Sequence, residues 1–394
     1  MKNKRFPILA DKHDCTGCMA CVGACHADAL TMRMGDDGHA YPSLNREKCV
    51  NCLRCEQVCQ GTRLFAGQND LRQSQPYAVW ANDAALRGRS TSGGFAASAS
   101  GWFIGNWGGV IGVVYDGRKA SHEYIDKASD LFRLQGSKYV WSNAAEAYRA
   151  ITEHLPINPV LFVGTGCQVA GVLSSFAKHP NRDRLYTIDL ICGGVPSNLL
   201  MQSFLENHPE VESITSFRTK RKYELKGIVA GKEVTLPQNA LPLAGFKTEQ
   251  TNRYVCYNCP FAKAHRQSDV TIGDLWGDCS PASQREQGVS LVIVHSEKGR
   301  QLLQKSDVTY QRLEWEKILQ ANKRLVYGRT PKSWLRDRLA DNYKRMDGAT
   351  FARIYSLSSS LKQPSGFAAR VWIYIQRKLN TIQFRSAVKE VLRE

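Results

Sequence analysis

The sequence predicts a protein that combines α+β and α/β architecture in three consecutive parts. A cysteine run near the N-terminus is repeated 34 residues later, which predicts a small metal-cluster module. The middle of the chain alternates between short apolar strands, glycine-rich loops and helices, which is typical of a mixed α/β body. After about residue 330 the pattern is helical and basic. Residues 301–394 contain 19 Lys and Arg against 8 Asp and Glu, so this last quarter carries +11 of the net charge of +17.

The doubled cysteine run predicts iron–sulfur clusters. Three thiolates separated by two residues each fit one tight loop around a cubane, and the fourth cysteine of each run ligates the other cluster. One 4Fe-4S cluster is therefore assigned to Cys15, Cys18, Cys21 and Cys59, and a second to Cys49, Cys52, Cys55 and Cys25. A zinc module is the alternative, but zinc needs only four cysteines per ion and fits the spacing poorly. We expect residues 1–70 to form a bacterial-ferredoxin-like dicluster domain.

The cellular compartment follows from the same cysteines. Cysteines two residues apart seldom form a disulfide, so we expect reduced thiols and a cytoplasmic protein. The N-terminal residues show no apolar signal-peptide core. Residues 93–115 are uncharged over a length that could span a membrane, but Gly108-Gly109 divides them. We interpret them as a buried helix followed by a buried strand.

The body shows a regular alternation of strands and helices. Residues 66–89 look like a linker, and residues 214–236 like an antiparallel hairpin. Strand–tight loop–helix units predict a mainly parallel sheet. The predicted strands are 110–114, 159–163, 185–191, 270–272 and 291–295, and the predicted helices are 143–154, one reaching Lys178, one after Pro196 and one from Glu297. The predicted domains after the dicluster module are 76–157, 158–330 and a basic helical tail, 331–394.

Two further patterns could carry chemistry. The segment Arg89-Ser90-Thr91-Ser92-Gly93-Gly94 precedes a helix, and such a start suits a phosphate group. An ordinary helix N-cap is the alternative. Five cysteines remain outside the doubled run, namely Cys167, Cys192, Cys256, Cys259 and Cys279. Two strand ends and one CxxC could hold a third cluster, or these residues could be buried inert thiols.

Six further motifs occur in order along the chain. They are Ser-Thr-Ser-Gly-Gly (90–94), Gly-Ser-Lys-Tyr-Val (136–140), Leu-Phe-Val-Gly-Thr-Gly-Cys-Gln-Val-Ala-Gly (161–171), Asp-Leu-Ile-Cys-Gly-Gly-Val-Pro-Ser (189–197), Cys-Tyr-Asn-Cys-Pro-Phe (256–261) and Ser-Asp-Val-Thr-Ile-Gly-Asp-Leu-Trp-Gly (268–277). This series resembles the coenzyme F-420 hydrogenase/dehydrogenase beta-subunit family, in a form that carries its own ferredoxin module, and the resemblance covers residue 10 to about 300.

This resemblance implies FAD, held non-covalently beside a third 4Fe-4S cluster. The residues implied to line the flavin are Ser90, Thr91, Ser92, Gly93, Gly94, Ser137, Lys138, Thr165, Gly166, Gln168 and Gly193. The implied third-cluster ligands are Cys167, Cys192, Cys256 and Cys259, whereas Cys279 matches no motif. Gly166 replaces a usual proline. Gly193 replaces a usual histidine, which removes a possible proton donor.

The resulting expectation is an iron–sulfur flavoprotein oxidoreductase that takes electrons from a donor such as ferredoxin. Its small-molecule substrate is unidentified, and the family suggests an intermediate of surface-polysaccharide synthesis. The alternative is a subunit that relays electrons between a hydrogenase or dehydrogenase partner and coenzyme F-420. Nucleic-acid repair rests only on the basic tail, so nucleic acid is not an expected partner.

The last 29 residues, 366–394, form a basic amphipathic pattern. Such a helix could lie on the inner face of an anionic membrane, which would make the protein peripheral there. Packing of the apolar stripe on the protein itself is the alternative that we favour.

Overall fold

The computed structural model describes residues 5–62, 69–220, 222–237, 241–275, 279–326, 332 and 334–356. Within these ranges the chain is a mixed α/β protein whose strands form three sheets. The strands are β1 (Leu30–Met34), β2 (Ala40–Leu44), β3 (Gln75–Ala81), β4 (Gly109–Tyr115), β5 (Ala120–Ile125), β6 (Ser142–Asn143), β7 (Val160–Thr165), β8 (Leu185–Leu190), β9 (Val211–Arg218), β10 (Tyr223–Val229), β11 (Lys232–Thr235), β12 (Val270–Asp274), β13 (Ser290–Val294) and β14 (Val308–Arg312).

The helices pack around these sheets. They are α1 (Ala20–Gly23), α2 (Arg54–Gln57), α3 (Ala84–Arg89), α4 (Phe95–Asn106), α5 (Ala145–His154), α6 (Gly166–Ser175), α7 (Asn198–Asn207), α8 (Leu241–Thr248), α9 (Glu297–Lys305), α10 (Trp315–Ala321), α11 (Trp334–Asp337), α12 (Leu339–Arg345) and α13 (Gly348–Ser356). The predicted order of helix, strand and hairpin between residues 93 and 305 is confirmed. In particular, the uncharged segment 93–115 is α4 followed by β4.

The large sheet is mixed, which corrects the prediction of a mainly parallel sheet. Its strand order is β14-β3-β13-β12-β8-β7-β4-β5-β6. The central strands β12, β8, β7 and β4 run parallel, but β13, β3 and β14 add antiparallel pairs on one side and β5 pairs antiparallel with β4 on the other. The sequence pattern of a strand does not reveal whether it runs parallel or antiparallel to its neighbours. That depends on which edge of the sheet the connecting segment leads to.

The prediction of a linker at residues 66–89 is also wrong, because this range contains a strand and a helix. β3 lies between β13 and β14 in the large sheet, and α3 follows it. Ala78, Val79 and Ala81 of β3 are buried. The strand was missed because Pro76 and polar neighbours hide a short apolar core, and proline usually argues against a paired strand.

A second layer is built from β9, β10, β11 and the helices α7, α8 and α13. Its apolar core includes Leu200 and Phe204 of α7 together with Leu335, Phe351 and Tyr355. The described part of the predicted basic tail therefore packs into the body, while the boundary at residue 331 stays a prediction. The amphipathic stretch 366–394 lies outside the described residues. No helix within the described ranges is long and apolar enough to cross a membrane.

The N-terminal module is docked on the body. α1 shares one apolar core with α5 and α6. Met19, Tyr148 and Val169 all belong to this core. The Tyr148 hydroxyl donates a hydrogen bond to the Cys18 carbonyl at 3.0 Å, and Trp141 Nε1 donates to the Gly17 carbonyl at 3.1 Å. The first cysteine loop thus faces the α/β body, not solvent.

Candidate functional site

The structure gathers the doubled cysteine run around two separate small cavities. We call the first the inner site, and its lining includes Cys15, Cys18, Cys21 and Cys59. We call the second the outer site, and its lining includes Cys25, Cys49, Cys52 and Cys55. Each set combines three cysteines of one run with the fourth cysteine of the other, which is the crossed arrangement that dicluster ferredoxin domains use.

The loops that carry these cysteines repeat the same backbone conformation. Gly17 and Met19 in the first loop have φ angles of 70° and 64°, and Asn51 and Leu53 in the second have 56° and 59°. A left-handed conformation costs a non-glycine residue about 1–2 kcal/mol. Three such residues at matching positions indicate a loop shaped by what it encloses.

The two sites differ in exposure. All four inner cysteines are buried, whereas Cys52 of the outer site is exposed and Cys25 and Cys49 are partly exposed. Burial raises the pKa of Cys18 to about 11 and that of Cys21 well above its usual value. Buried thiols of this kind ionise readily only when a metal replaces the proton.

The remaining motif cysteines lie close to the inner site. Burial, then the thiols of Cys259 and Cys192, raise the pKa of Cys167, and Cys18 adds to this effect. Cys256 lies in the short 3-10 helix Tyr254–Asn258, which Cys259 follows directly. Among the described residues no three Cys, His, Asp or Glu side chains converge closely enough to hold a single ion. A four-iron cubane is wider than one ion and needs no such convergence.

A buried amide without a partner lies beside these cysteines. Asn252 is completely buried, and neither its nitrogen nor its oxygen has a hydrogen-bond partner within the described part of the chain. It abuts Gly194, whose N–H donates to the Cys192 sulfur at 3.3 Å. Buried amides are nearly always paired, and hydrogen bonds to sulfur are a recurring feature of iron–sulfur sites. An unpaired buried amide beside Gly194 and Cys192 therefore suits a sulfur-rich ligand.

A cavity of about 310 Å³ opens at the carboxyl ends of β7, β8 and β12. This size lies within the range of ligand pockets, and the carboxyl edge of parallel strands is where α/β proteins usually bind ligands. The predicted flavin residues that line it are Ser90, Thr91, Ser92, Gly94, Ser137, Lys138, Thr165, Gln168 and Gly193. We call Cys167, Cys192, Cys256 and Cys259 the third cysteine set. Cys192 lines the same cavity, so this set and the cavity share a wall.

The N-terminus of α4 points its free backbone groups toward this cavity. Gly94 is the N-cap, with φ 91°, and no side chain caps the helix. The hydroxyls of Ser90 and Ser92 donate instead to the carbonyls of Leu86 and Val289. The first helical N–H groups thus lack protein acceptors of the usual N-cap type, which suits an anionic ligand.

Lys138 is fixed by hydrogen bonds to the protein's own backbone, which its motif does not predict. Its ammonium group donates to the carbonyls of Arg133, Leu134 and Gln135, at 3.3, 3.0 and 2.8 Å. These three bonds use all the hydrogens of the ammonium group, so Lys138 brings a charge but no free donor to the cavity wall. Burial lowers the pKa of Lys138 to about 7.

Two predicted residues lie behind the cavity wall. Gly93 packs so closely on β3 and β13 that an added Cβ would lie 2.3 Å from the Val79 carbonyl oxygen. Gly166 starts α6 and packs against Phe261, Arg266 and Asp189. Both glycines allow close packing and do not line the described cavity.

The structure also explains the glycine that replaces a histidine. A Cβ at Gly193 would lie 2.4 Å from the Phe246 ring and 2.6 Å from the Arg324 guanidinium. No larger side chain fits there without moving both neighbours. An aromatic ring and a cation thus fill the space that the side chain of the usual histidine would need.

Sequence reasoning missed an ion pair in the cavity wall. Arg218 donates to Asp274 at 2.6 Å and to the Tyr139 hydroxyl at 3.3 Å, and both charged residues line the cavity. Asp274 lies within one of the quoted motifs, which is its only signal. Arg218 ends a strand for which the sequence predicts only a hairpin, and folding brings it to the site.

Paired four-cysteine sites docked on an α/β body define an iron–sulfur electron-transfer protein. Residues 14–61 match the family described as 4Fe-4S dicluster domain, and residues 157–319 match the family described as the C terminus of the coenzyme F420 hydrogenase/dehydrogenase beta subunit. The predicted resemblance to this beta-subunit family and the predicted N-terminal 4Fe-4S dicluster domain are thus confirmed over these two ranges of the chain.

Other comparisons add little to this assignment. The F420-reducing [NiFe] hydrogenase complex from Methanosarcina barkeri, in a xenon-derivatised structure, contains a chain that is 16% identical with a TM-score of 0.45. The match covers 72% of this chain and 91% of that one. No curated protein matches the sequence.

Proposed function

We propose that this protein is an FAD-dependent iron–sulfur oxidoreductase. FAD would occupy the 310 Å³ cavity, and a third 4Fe-4S cluster would be held by Cys167, Cys192, Cys256 and Cys259. When bound, the clusters supply one-electron chemistry and the flavin supplies hydride chemistry. The observation that carries the proposal is the shared wall, because Cys192 lines the cavity and Cys167 follows the lining residue Thr165 by two positions.

The protein's own groups have distinct roles in this proposal. The N-terminus of α4 binds the pyrophosphate, since its first N–H groups are free and the helix dipole favours anions. Lys138 adds a positive charge at the cavity wall. Arg218 and Asp274 orient a polar substrate, because their ion pair is preformed and faces the cavity.

The inner site lies between the outer site and the third cysteine set. Cys18 is close enough to Cys167 to affect its pKa, and the outer site presents Cys52 to solvent. We therefore propose that an external donor such as ferredoxin docks at the outer site. The substrate is a small organic molecule, with an intermediate of surface-polysaccharide synthesis as our specific expectation, and the protein acts in the cytoplasm.

The second candidate is an electron-transfer subunit that relays electrons between a hydrogenase or dehydrogenase partner and coenzyme F-420. The family description, which names a beta subunit of such enzymes, favours it. Reduced protein that converts coenzyme F-420 without any partner would support the second function over the first.

The test is cofactor analysis of anaerobically purified protein. We expect bound FAD and about twelve irons per chain, from three four-iron clusters. Cys256→Ser should lose about four irons while the ferredoxin-type signals remain, because one missing thiolate unseats a cubane. Cys279→Ser is the matched control and should keep all iron.

Two results would contradict the proposal. An unchanged iron count in Cys256→Ser would return these cysteines to the class of buried thiols. A reconstituted preparation without flavin absorbance, even after incubation with excess FAD, would remove the flavin from the proposal.

A further inference from the structure

Arg253 is a completely buried arginine that joins the ferredoxin module to the body. Its guanidinium donates to the Cys15 carbonyl at 3.3 Å and to the Ala40 carbonyl at 2.7 Å. The backbone carbonyl of Arg253 accepts a hydrogen bond from Cys256 N–H at 2.9 Å. One residue thus contacts the loop of the inner site and the loop of the third cysteine set.

The charge of Arg253 has no carboxylate partner within the described ranges of the chain. Its guanidinium lies over the Tyr41 ring, 4.8 Å from the centroid, and its Nε has no hydrogen-bond acceptor there. The neighbouring carboxylate, Asp37, is paired with Arg336 at 2.6 Å. A buried cation without a counter-charge is strongly destabilising, so a further anionic group is expected beside it.

The inner site is the place for that anion. An added Cβ at Gly17 would lie 2.9 Å from the guanidinium, which shows how closely the charge approaches the first cysteine loop. A cubane held by four thiolates is negative and becomes more negative on reduction, so this cation stabilises the reduced form most.

Other groups around Arg253 do not cancel its charge. His39 is buried nearby, and burial, followed by the charges of Arg253 and Arg336, holds its pKa well below the usual value. It is therefore neutral. The Tyr41 hydroxyl donates to Asp37 at 2.9 Å, and burial keeps its pKa well above the usual value, so it is also neutral.

The outer site lacks such a charge among the described residues. Arg54, at the start of α2 beside Cys55, is exposed to water, where its field is screened. Arg5 is mostly in water and is paired with Glu56 at 2.7 Å. The two cysteine sites thus differ in burial and in the charge beside them.

We propose that Arg253 is the buried counter-charge of the inner cluster and raises the reduction potential of that cluster. Arg253 is a positioning residue in this role, since it acts through the cluster. The inference rests on the proposed function only for the use of this raised potential in electron delivery. The potentials themselves belong to the dicluster domain and can be measured whether or not FAD binds.

The test is a redox titration of the two ferredoxin-type clusters in the full-length protein, with electron paramagnetic resonance as the readout at each potential. Arg253→Met should lower one midpoint potential and leave the other unchanged, with unchanged iron and sulfide. Arg253→Lys keeps the charge and should stay close to the wild-type value. Arg54→Met removes an exposed charge beside the outer site and should produce a smaller shift that disappears at high salt.

Clear outcomes would overturn the inference. Iron-loaded Arg253→Met with both potentials unchanged would do so, and so would an Arg54→Met shift as large as that of Arg253→Met. If the methionine variant fails to keep iron, the same redox titration is carried out on Arg253→Gln. This variant removes the charge but retains an N–H for the Ala40 carbonyl. A lowered potential in Arg253→Gln supports the inference, and an unchanged one rejects it.

Discussion

At the residue scale, Lys138 holds part of the cavity wall in place and carries an ammonium group there. Its three bonds to backbone carbonyls tie the end of the 3-10 helix Ala128–Leu134 to the cavity wall. These carbonyls favour the charged form, whereas burial disfavours it and lowers the pKa to about 7. The charge that faces the cavity is therefore adjustable near neutral pH.

We predict that FAD binding weakens as pH rises. A bound anion stabilises the charged form of Lys138, so affinity falls above pH 7 as the free protein loses this proton, by at most about tenfold per pH unit. Titration calorimetry of the apo-flavin protein at pH 6.5 and 8.5 measures this. In Lys138→Met the dependence should flatten, while Lys127→Met, which removes an exposed charge, should keep it. A Lys138→Met protein with the wild-type pH dependence would contradict the assignment.

At the scale of elements, α4 depends on a glycine at its first turn. Gly94 has φ 91°, and a Cβ there would meet Ala81 and Leu86 at 3.2 Å. No side chain caps α4, and its first residues line the cavity. The helix leads into β4, which pairs in parallel with β7 in the large sheet.

The same substitution at two positions of α4 should have opposite effects. Gly94→Ala should destabilise the protein by about 1–2 kcal/mol, because alanine is strained at positive φ. Gly105→Ala should be neutral or stabilise by about 0.5–1 kcal/mol, because Gly105 is helical and an added Cβ meets nothing within 4 Å. Thermal unfolding followed by circular dichroism compares them. Equal melting temperatures for the two variants would show that the backbone at Gly94 is not constrained.

At the scale of the whole molecule, the protein buries histidines as neutral groups. His122 stacks on Phe162, with 5.3 Å between ring centroids, and burial lowers its pKa to about 4. His295 lies between the hydroxyls of Ser74 and Thr271, and burial lowers its pKa to about 3. Each of them resists protonation in the folded state.

We predict that stability decreases as pH falls below about 6.5. Unfolded histidine takes up a proton near that pH, whereas folded His122 stays neutral down to about pH 4, so acid favours the unfolded chain by about 1.4 kcal/mol per pH unit. Melting temperatures of the cluster-loaded protein between pH 7.5 and 5.5 measure this. His122→Phe should lose less stability over this interval than wild type, and His208→Gln, a partly exposed control, should behave as wild type. Parallel pH curves for wild type and His122→Phe would disprove the role of His122.

The sequence by itself determined the chemistry of the N-terminal module. The spacing of the doubled run specified the ligand type and the crossed sets, because three thiolates on one tight loop can surround only three corners of a cubane. Most strands and helices between residues 93 and 305 were also predictable, since apolar periodicity and glycine-rich loops are local signals.

Only the tertiary structure decided where the pieces meet. β3 entered the large sheet despite Pro76, because pairing with β13 and β14 outweighs a weak local signal. Arg218 reached the cavity from a hairpin, and Arg253 came to lie against Cys15, which is 238 residues away along the chain. Such contacts depend on burial and long-range packing, which a local residue pattern does not encode.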